Sequence, residues 1–203
     1  DTSNVKPAEI ADDLFDGRRK YAAMSDNGMN SEVTVVLQAY NRIEKTKRAV
    51  ESILRNATDV NYDLLLIDNG STDGTFEYFK SVNFPKKRII HLTKNISSYY
   101  PGLFYDASWF SKYMAGIADD QIATPHWLSN LIKVAESDPR IGLVNPVQSN
   151  ISGLEEVNLE YSDYDDMQKK AAEYNVSDPA KWHERIRMVI NGELISKDCI
   201  YAI

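Results

Sequence analysis

Two short runs constrain this chain more than anything else in it. Val33-Thr34-Val35-Val36-Leu37 and Leu64-Leu65-Leu66-Ile67 are almost wholly apolar and do not alternate with polar residues. A strand wetted on one face alternates, whereas a continuous apolar run is buried on both faces. That is the habit of a parallel sheet covered by helices. Between the runs, Ala49, Val50, Ile53, Leu54 and Ala57 recur at helical spacing. Thr75 to Val82 reads as a short helix with Phe76 and Phe79 inward. Arg88 to Leu92, Tyr113 to Ile117 and Ile141 to Val144 read as three further strands. Thr124-Pro125 predicts a helix start, with Thr as N-cap and Pro at the first helical position. Trp127, Leu128, Leu131, Ile132 and Ala135 give that helix its apolar face. Strands alternating with helices predict an α/β fold built on a mainly parallel sheet flanked by helices.

The flanks are less regular. Residues 1–30 read as a polar leader and linker, with one helix from Pro7 to Tyr21 and a linker from Ser25 to Asn30. Residues 31–203 are expected to form the domain proper. After Ser149 the rhythm is lost, and Glu155 to Asp166 is acidic and tyrosine-rich. Residues 166–174 and Pro179 to Ile186 read as helices. Met188 to Ile190 and Leu194 to Ser196 read as short strands around Asn191-Gly192. The chain stops at Ile203 inside an apolar run, CIYAI, which suggests a domain that is C-terminally incomplete.

Composition narrows the function classes. The 203 residues carry a net charge of -7, the opposite of the basic face expected of a nucleic-acid binder. A single cysteine, Cys199, rules out a disulfide within the chain. No apolar run is long enough to span a bilayer, and the N-terminus does not resemble a secretory signal. The expected location is therefore cytoplasmic or peripheral to the inner face of a membrane, with any membrane association made through parts outside this chain. Asn-x-Ser/Thr triplets begin at Asn56, Asn69, Asn95, Asn150 and Asn175, a pattern that also arises by chance.

In an open parallel sheet, ligands bind beyond the carboxyl ends of the strands. Three strands here end in polar clusters: Gln38-Ala39-Tyr40-Asn41-Arg42, Asp68-Asn69-Gly70-Ser71-Thr72-Asp73 and Asp119-Asp120-Gln121. No glycine-rich phosphate cradle of the dinucleotide or P-loop type occurs, so phosphate would have to be neutralised otherwise. Asp119 and Asp120 are two adjacent carboxylates that repel unless a cation offsets them. Mg²⁺ and Mn²⁺ prefer such oxygens and share ligation with a substrate's phosphates. On extended backbone the two side chains would point apart, one to a metal and one to a ribose hydroxyl. The other reading is an acidic turn ahead of a helix. Asp68 reads either as a turn residue or as an acceptor for the N–H of a pyrimidine, with the Asn69 amide beside it. His91, His126 and His183 show no metal-ligand spacing. The carboxylates between Glu155 and Asp166 read as a solvated face.

Taken together, EVTVVLQAYNR, LLLIDNGSTDGT and KYMAGIADDQIATPHWL, in this order and spacing, resemble glycosyltransferase family 2, whose fold is the Rossmann-like GT-A type. The resemblance covers about residues 32–147. It implies a metal-dependent inverting transfer of a sugar from a nucleoside diphosphate sugar (UDP, dTDP or GDP linked) to a hydroxyl of a glycan or lipid-linked acceptor. It implies nucleotide contacts at Gln38, Ala39, Tyr40, Asp68, Asn69 and Asp119, and Mn²⁺ or Mg²⁺ at Asp120. Arg42 reads as a phosphate contact or as a solvated charge at a helix start. Ala118 stands at the first place of the family's D-x-D pattern. The stretch Asn95 to Phe110 carries Tyr99, Tyr100, Pro101, Phe104, Tyr105 and Trp109 where an Asn-Gly-rich helix is usual. GELISKDCIYAI resembles the strand that precedes the family's acidic general-base motif, which places the catalytic base beyond Ile203 and makes this chain the donor-binding portion, truncated before the acceptor-side elements. The alternative is a non-catalytic nucleotide-sugar-binding or interaction module of the same fold. A nucleotidyltransferase is disfavoured, because QAYNRIEK lacks the Gly-rich, basic loop such enzymes place after the first strand.

Overall fold

The computed structural model describes residues 31–96, 111–139, 141, 143–146, 159–173 and 199–202. These belong to two compact units, one within Asp1–Ser52 and Asn61–Ile122, the other within Ile53–Val60 and Ala123–Ile203. The helices expected at Pro7 to Tyr21 and Pro179 to Ile186, the linker at Ser25 to Asn30, and the strands at Met188 to Ile190 and Leu194 to Ser196 lie outside the described residues. So does the aromatic stretch after Ile96.

The first unit is built on four parallel strands: β1 (Val33–Ala39), β2 (Tyr62–Asp68), β3 (Lys87–His91) and β4 (Tyr113–Ala118), in the spatial order β3-β2-β1-β4. Helix α1 (Ile43–Asn56) follows β1, and α2 (Thr75–Ser81) follows β2 and packs on β2 and β3. The apolar runs behave as their composition demands. Val33, Val35, Leu37, Leu64, Leu66 and Ile67 are wholly buried, and Val36, Leu65, Ile67, Ile90, Leu92 and Ile96 form one apolar cluster. Each such side chain contributes roughly 1.5–3 kcal/mol on burial. On α1, Ala49, Val50 and Ile53 are fully buried, joined by Thr46 and Ser52. The small polar pair is tolerated because their hydroxyls bond back to the Arg42 and Ala49 carbonyls. On α2, Phe79 is buried as expected. Its last carbonyls are satisfied by the Lys87 ammonium, which reaches Phe79, Lys80 and Val82.

Register sets the edge where the polar strand ends meet. Ala39 pairs with Asp68, Gln38 with Ala118, and Asp68 with His91. The carboxyl ends of all four strands are therefore level. The chain runs from β1 outward through β2 to β3, then returns to the other side of β1 as β4. The reversal lies between β1 and β4, where an open α/β sheet forms its crevice.

The second unit contains α3 (Trp127–Ser137), α4 (Tyr164–Glu173) and a two-stranded parallel sheet of β5 (Leu143–Pro146) and β6 (Cys199–Ala202). The fifth strand thus begins two residues later than expected and pairs with β6. The start of α3 also differs. Its N-cap is His126, with φ 62° and no side-chain cap bond, and the Trp127 amide bonds the Thr124 carbonyl. Thr124-Pro125 therefore makes a turn ahead of the helix, a place that Pro's fixed φ also suits. Asp59 anchors the first helical turn instead, accepting from the Ser129 hydroxyl at 2.6 Å and meeting His126 Nδ1 at 2.9 Å. The buried residues of α3 are Leu128, Asn130 and Val134, while Trp127, Leu131, Ile132 and Ala135 are half-buried.

Candidate functional site

Past β1 the backbone makes an unusual turn. Asn41 and Arg42 both have left-handed conformations, with φ of 54° and 60°, which cost roughly 1–2 kcal/mol each for a residue with a Cβ. The loop after β2 holds them there. The Asn41 amide donates to Ser71 Oγ at 2.9 Å, and Asn41 Oδ1 accepts the Thr72 amide at 3.0 Å. The Ile43 amide donates to Asp73 Oδ2 at 2.8 Å, so the first turn of α1 is capped from another loop. The other Asp73 oxygen takes the Thr75 amide at 3.1 Å and hydroxyl at 2.7 Å, capping α2. Burial pushes the Asp73 carboxyl up, but these hydrogen bonds outweigh it and hold its pKa below the ordinary value. Gly70 serves the same loop by close approach. Its φ is 78°, and a Cβ there would lie 2.4 Å from the Lys94 carbonyl carbon.

At the end of β2, Asp68 is wholly buried. One oxygen accepts the Ser71 amide at 3.0 Å and the other meets His91 Nδ1 at 2.6 Å. The imidazole also stacks on Phe76, with ring centroids 4.0 Å apart. Asn69, 2% exposed, uses its amide to organise the chain after β3. Its Oδ1 accepts the Ile96 amide at 3.1 Å, and its Nδ2 donates to Asn95 Oδ1 at 3.0 Å.

Beyond β4 stand the two acids. Asp119 is 3% exposed, while the Asp120 side chain is 40% exposed. Neither lies on extended backbone. Both are in a turn closed by the Gln121 amide on the Ala118 carbonyl, with Gln121 Oε1 accepting the Ala118 amide at 2.7 Å. The expectation that the two side chains point apart therefore fails. Both carboxylates meet a single guanidinium: Arg42 Nη2 donates to Asp119 Oδ1 at 2.8 Å and Nη1 to Asp120 Oδ2 at 3.0 Å. Burial pushes the Asp119 carboxyl above its ordinary pKa. Asp120 adds to the rise, and Arg42 offsets part of it. Asp119 Oδ2 is buried with no hydrogen-bond partner.

That orphaned oxygen bears on a metal. Among the described residues, no group of three or more His, Cys, Asp or Glu is placed to hold an ion. Two carboxylates alone suit Mg²⁺ or Mn²⁺, which commonly take one or two protein carboxylates and complete their shell with water and substrate phosphate. The residues present fit a cation of that shared kind rather than a metal held by protein alone.

The structure therefore gathers Gln38, Ala39, Tyr40, Asp68, Asn69, Asp119 and Asp120 at one sheet edge. Ala39 is buried, Gln38 half-buried, and Tyr40 exposed at 41%. Two further relations emerge only from the fold. His91 is level with Asp68 on the neighbouring strand, a relation visible only once the β2–β3 register is known. Arg42 is, from sequence, a phosphate contact or a solvated charge, and its bridge to both acids depends on β1 and β4 being neighbours.

A parallel α/β sheet with carboxylates at its switch point defines a class of ligand-binding domain, and comparison makes the class particular. Residues 34–181 match the model of glycosyl transferase family 2, and the chain belongs to that family. Its four parallel strands flanked by helices are the α/β arrangement expected from the sequence. The chain is 29% identical over 111 residues to an uncharacterized glycosyltransferase of Haemophilus influenzae, covering 54% of this chain and 34% of that protein. It is 28% identical over 116 residues to the uncharacterized protein y4gI of Sinorhizobium fredii, covering 55% and 13%. It thus spans about a third or less of the curated relatives it matches. Among solved structures, the mannosyltransferase PcManGT from Pyrobaculum calidifontis, in complex with GDP-Man and Mn2+, aligns with a TM-score of 0.49 at 17% identity, over 70% of this chain and 45% of that one. TarS 1-349 of S. aureus aligns at 0.48 and 15% identity, over 60% and 38%.

Proposed function

We propose that this chain is the donor-binding portion of a metal-dependent, inverting glycosyltransferase that moves a sugar from a nucleoside diphosphate sugar to an acceptor hydroxyl. The observation that carries this reading is the convergence of Asp68, Asp119, Asp120 and Arg42 at the switch point of a family 2 sheet. In it, Gln38, Ala39 and Tyr40 line the base and ribose. Asp68 and Asn69 face the base. The Ser71 amide and His91 hold the Asp68 carboxylate in one orientation at the end of β2. Asp119 reaches the ribose or sugar and Asp120 ligates Mn²⁺ or Mg²⁺. When bound, the cation neutralises charge developing on the leaving diphosphate. A carboxylate outside the donor site takes the proton from the acceptor hydroxyl. The acceptor belongs to a glycan or a lipid carrier, and the work is done at or near the cytoplasmic face. No helix of the described residues is long and apolar enough to cross a membrane.

Titration calorimetry with UDP, dTDP and GDP, free and sugar-linked, each with and without Mn²⁺ or Mg²⁺, tests the reading. One nucleotide is expected to bind in a metal-dependent manner, and Asp120→Asn is expected to remove that dependence. Folded protein that takes up no nucleotide would sink the proposal.

A further inference from the structure

Arg42 occupies a position that the donor chemistry alone does not explain. Its guanidinium does not grip one carboxylate with both nitrogens, the usual strong geometry. It spreads across two acids instead, one nitrogen to buried Asp119 and one to exposed Asp120. That is where a cation shared by the pair would act. The backbone beneath it is fixed. Asn41 and Arg42 are both left-handed, and the Arg42 carbonyl accepts the Lys45 and Thr46 amides that open α1. The side chain by contrast is 51% exposed, on a long stem. The bridge sets one positive charge against two carboxylates and leaves Asp119 Oδ2 buried without a hydrogen bond, so the pair is only partly offset and not fully satisfied.

We propose that Arg42 is a built-in counter-ion for Asp119 and Asp120, displaced when a divalent cation shared with a nucleoside diphosphate takes the pair, and that the displaced guanidinium then pairs with the diphosphate. The inference rests on the donor-site reading above and adds a consequence to it. A metal arriving alone must break two charge-assisted hydrogen bonds and leave the guanidinium without an anion. A metal arriving with the diphosphate supplies a new partner, one whose oxygens match the planar fork. Metal and nucleotide therefore bind cooperatively, and because coupling is reciprocal each strengthens the other by the same factor.

The test is Mn²⁺ binding to the whole 203-residue protein, read from the electron paramagnetic resonance signal of free Mn²⁺, with and without whichever of UDP, GDP or dTDP the native protein binds. Arg42→Gln is expected to bind Mn²⁺ alone on the order of 10-fold more tightly than the native protein, and to lose most of the enhancement that nucleotide gives. Arg42→Lys keeps the charge but cannot span both acids, and is expected to fall between the two. Thermal melting checks that each variant is folded. Should Arg42→Gln not fold, tighter Mn²⁺ binding by Arg42→Lys than by the native protein decides for the proposal, and equal or weaker binding decides against it. Mn²⁺ uptake by Arg42→Gln equal to or weaker than native overturns the counter-ion role and leaves the donor-site reading standing. No Mn²⁺ uptake by native or variant, with or without nucleotide, overturns both.

Discussion

Three aspartates of the first unit do different work because their surroundings differ. Asp119 is buried, beside a like charge and one guanidinium, and its pKa is raised. Asp68 is buried but oriented by an amide and an imidazole. Asp73 is the structural one, since its two oxygens cap the first turns of α1 and α2 together. Asp73→Ala is expected to lower stability by about 1–2 kcal/mol at neutral pH, measured by urea unfolding. The sign of its pH dependence follows from the depressed folded value. A carboxyl held low contributes stability above its unfolded pKa, near 3.9, and loses it as pH falls through the lower folded value. The gap between native and variant should therefore be flat from pH 7 to about 5 and narrow below about 4. A gap that widens in acid would contradict the capping role.

At the scale of elements, the loop from Asp68 to Gly74 organises more than the strand it ends. It fixes the turn after β1, starts two helices and rests against the chain after β3. Its two glycines are not equivalent. Gly70, with φ 78°, lies against the Lys94 and Asn95 backbone, which cannot move aside as a side chain does. Gly74, with φ 92°, would bring a new Cβ no closer than 3.5 Å to the flexible end of Ile43. Gly70→Ala is expected to cost roughly 2–4 kcal/mol, strain and overlap together. Gly74→Ala should cost about 1–2 kcal/mol, strain alone. Equal costs in chemical denaturation would show that close approach to Lys94 does not govern the loop. The start of α3 carries a related lesson. Thr124-Pro125 has the composition of a helix start, yet Asp59, distant in sequence, holds the first turn.

For the whole molecule, a ligand that binds only the folded site shifts the unfolding equilibrium. At a concentration near 100 times Kd this amounts to about 2.7 kcal/mol. For a chain of this size that is a rise in melting temperature of roughly 5–10 °C. The rise is expected in the transition of the unit within Asp1–Ser52 and Asn61–Ile122, where Arg42, Asp68, Asp119 and Asp120 all lie. Nucleotide and Mn²⁺ together should give the full rise, and Asp120→Asn only the metal-independent part, measured by calorimetric melting. A rise equal in native and variant would remove Asp120 from the metal site.

The class of fold and the gathering of the polar strand ends at one sheet edge were already legible in the amino-acid order. Runs such as Val33 to Leu37 and Leu64 to Ile67 are too apolar to face water, so a covered parallel sheet was the arrangement open to them, and polar clusters at strand ends marked one edge of it as the candidate site. Those inferences need only local pattern and burial. Which charge meets which depended on the folded arrangement. The Arg42 bridge to Asp119 and Asp120 spans 77 and 78 residues, and the Asp68–His91 pair spans 23. Each exists because the strand order and register bring distant strand ends level. The turn at Asp119-Asp120 likewise sets both carboxylates against one guanidinium, where an extended chain would have pointed them apart. Hydrogen bonds and ion pairs act over a few ångströms of space, and only the folded sheet sets those distances.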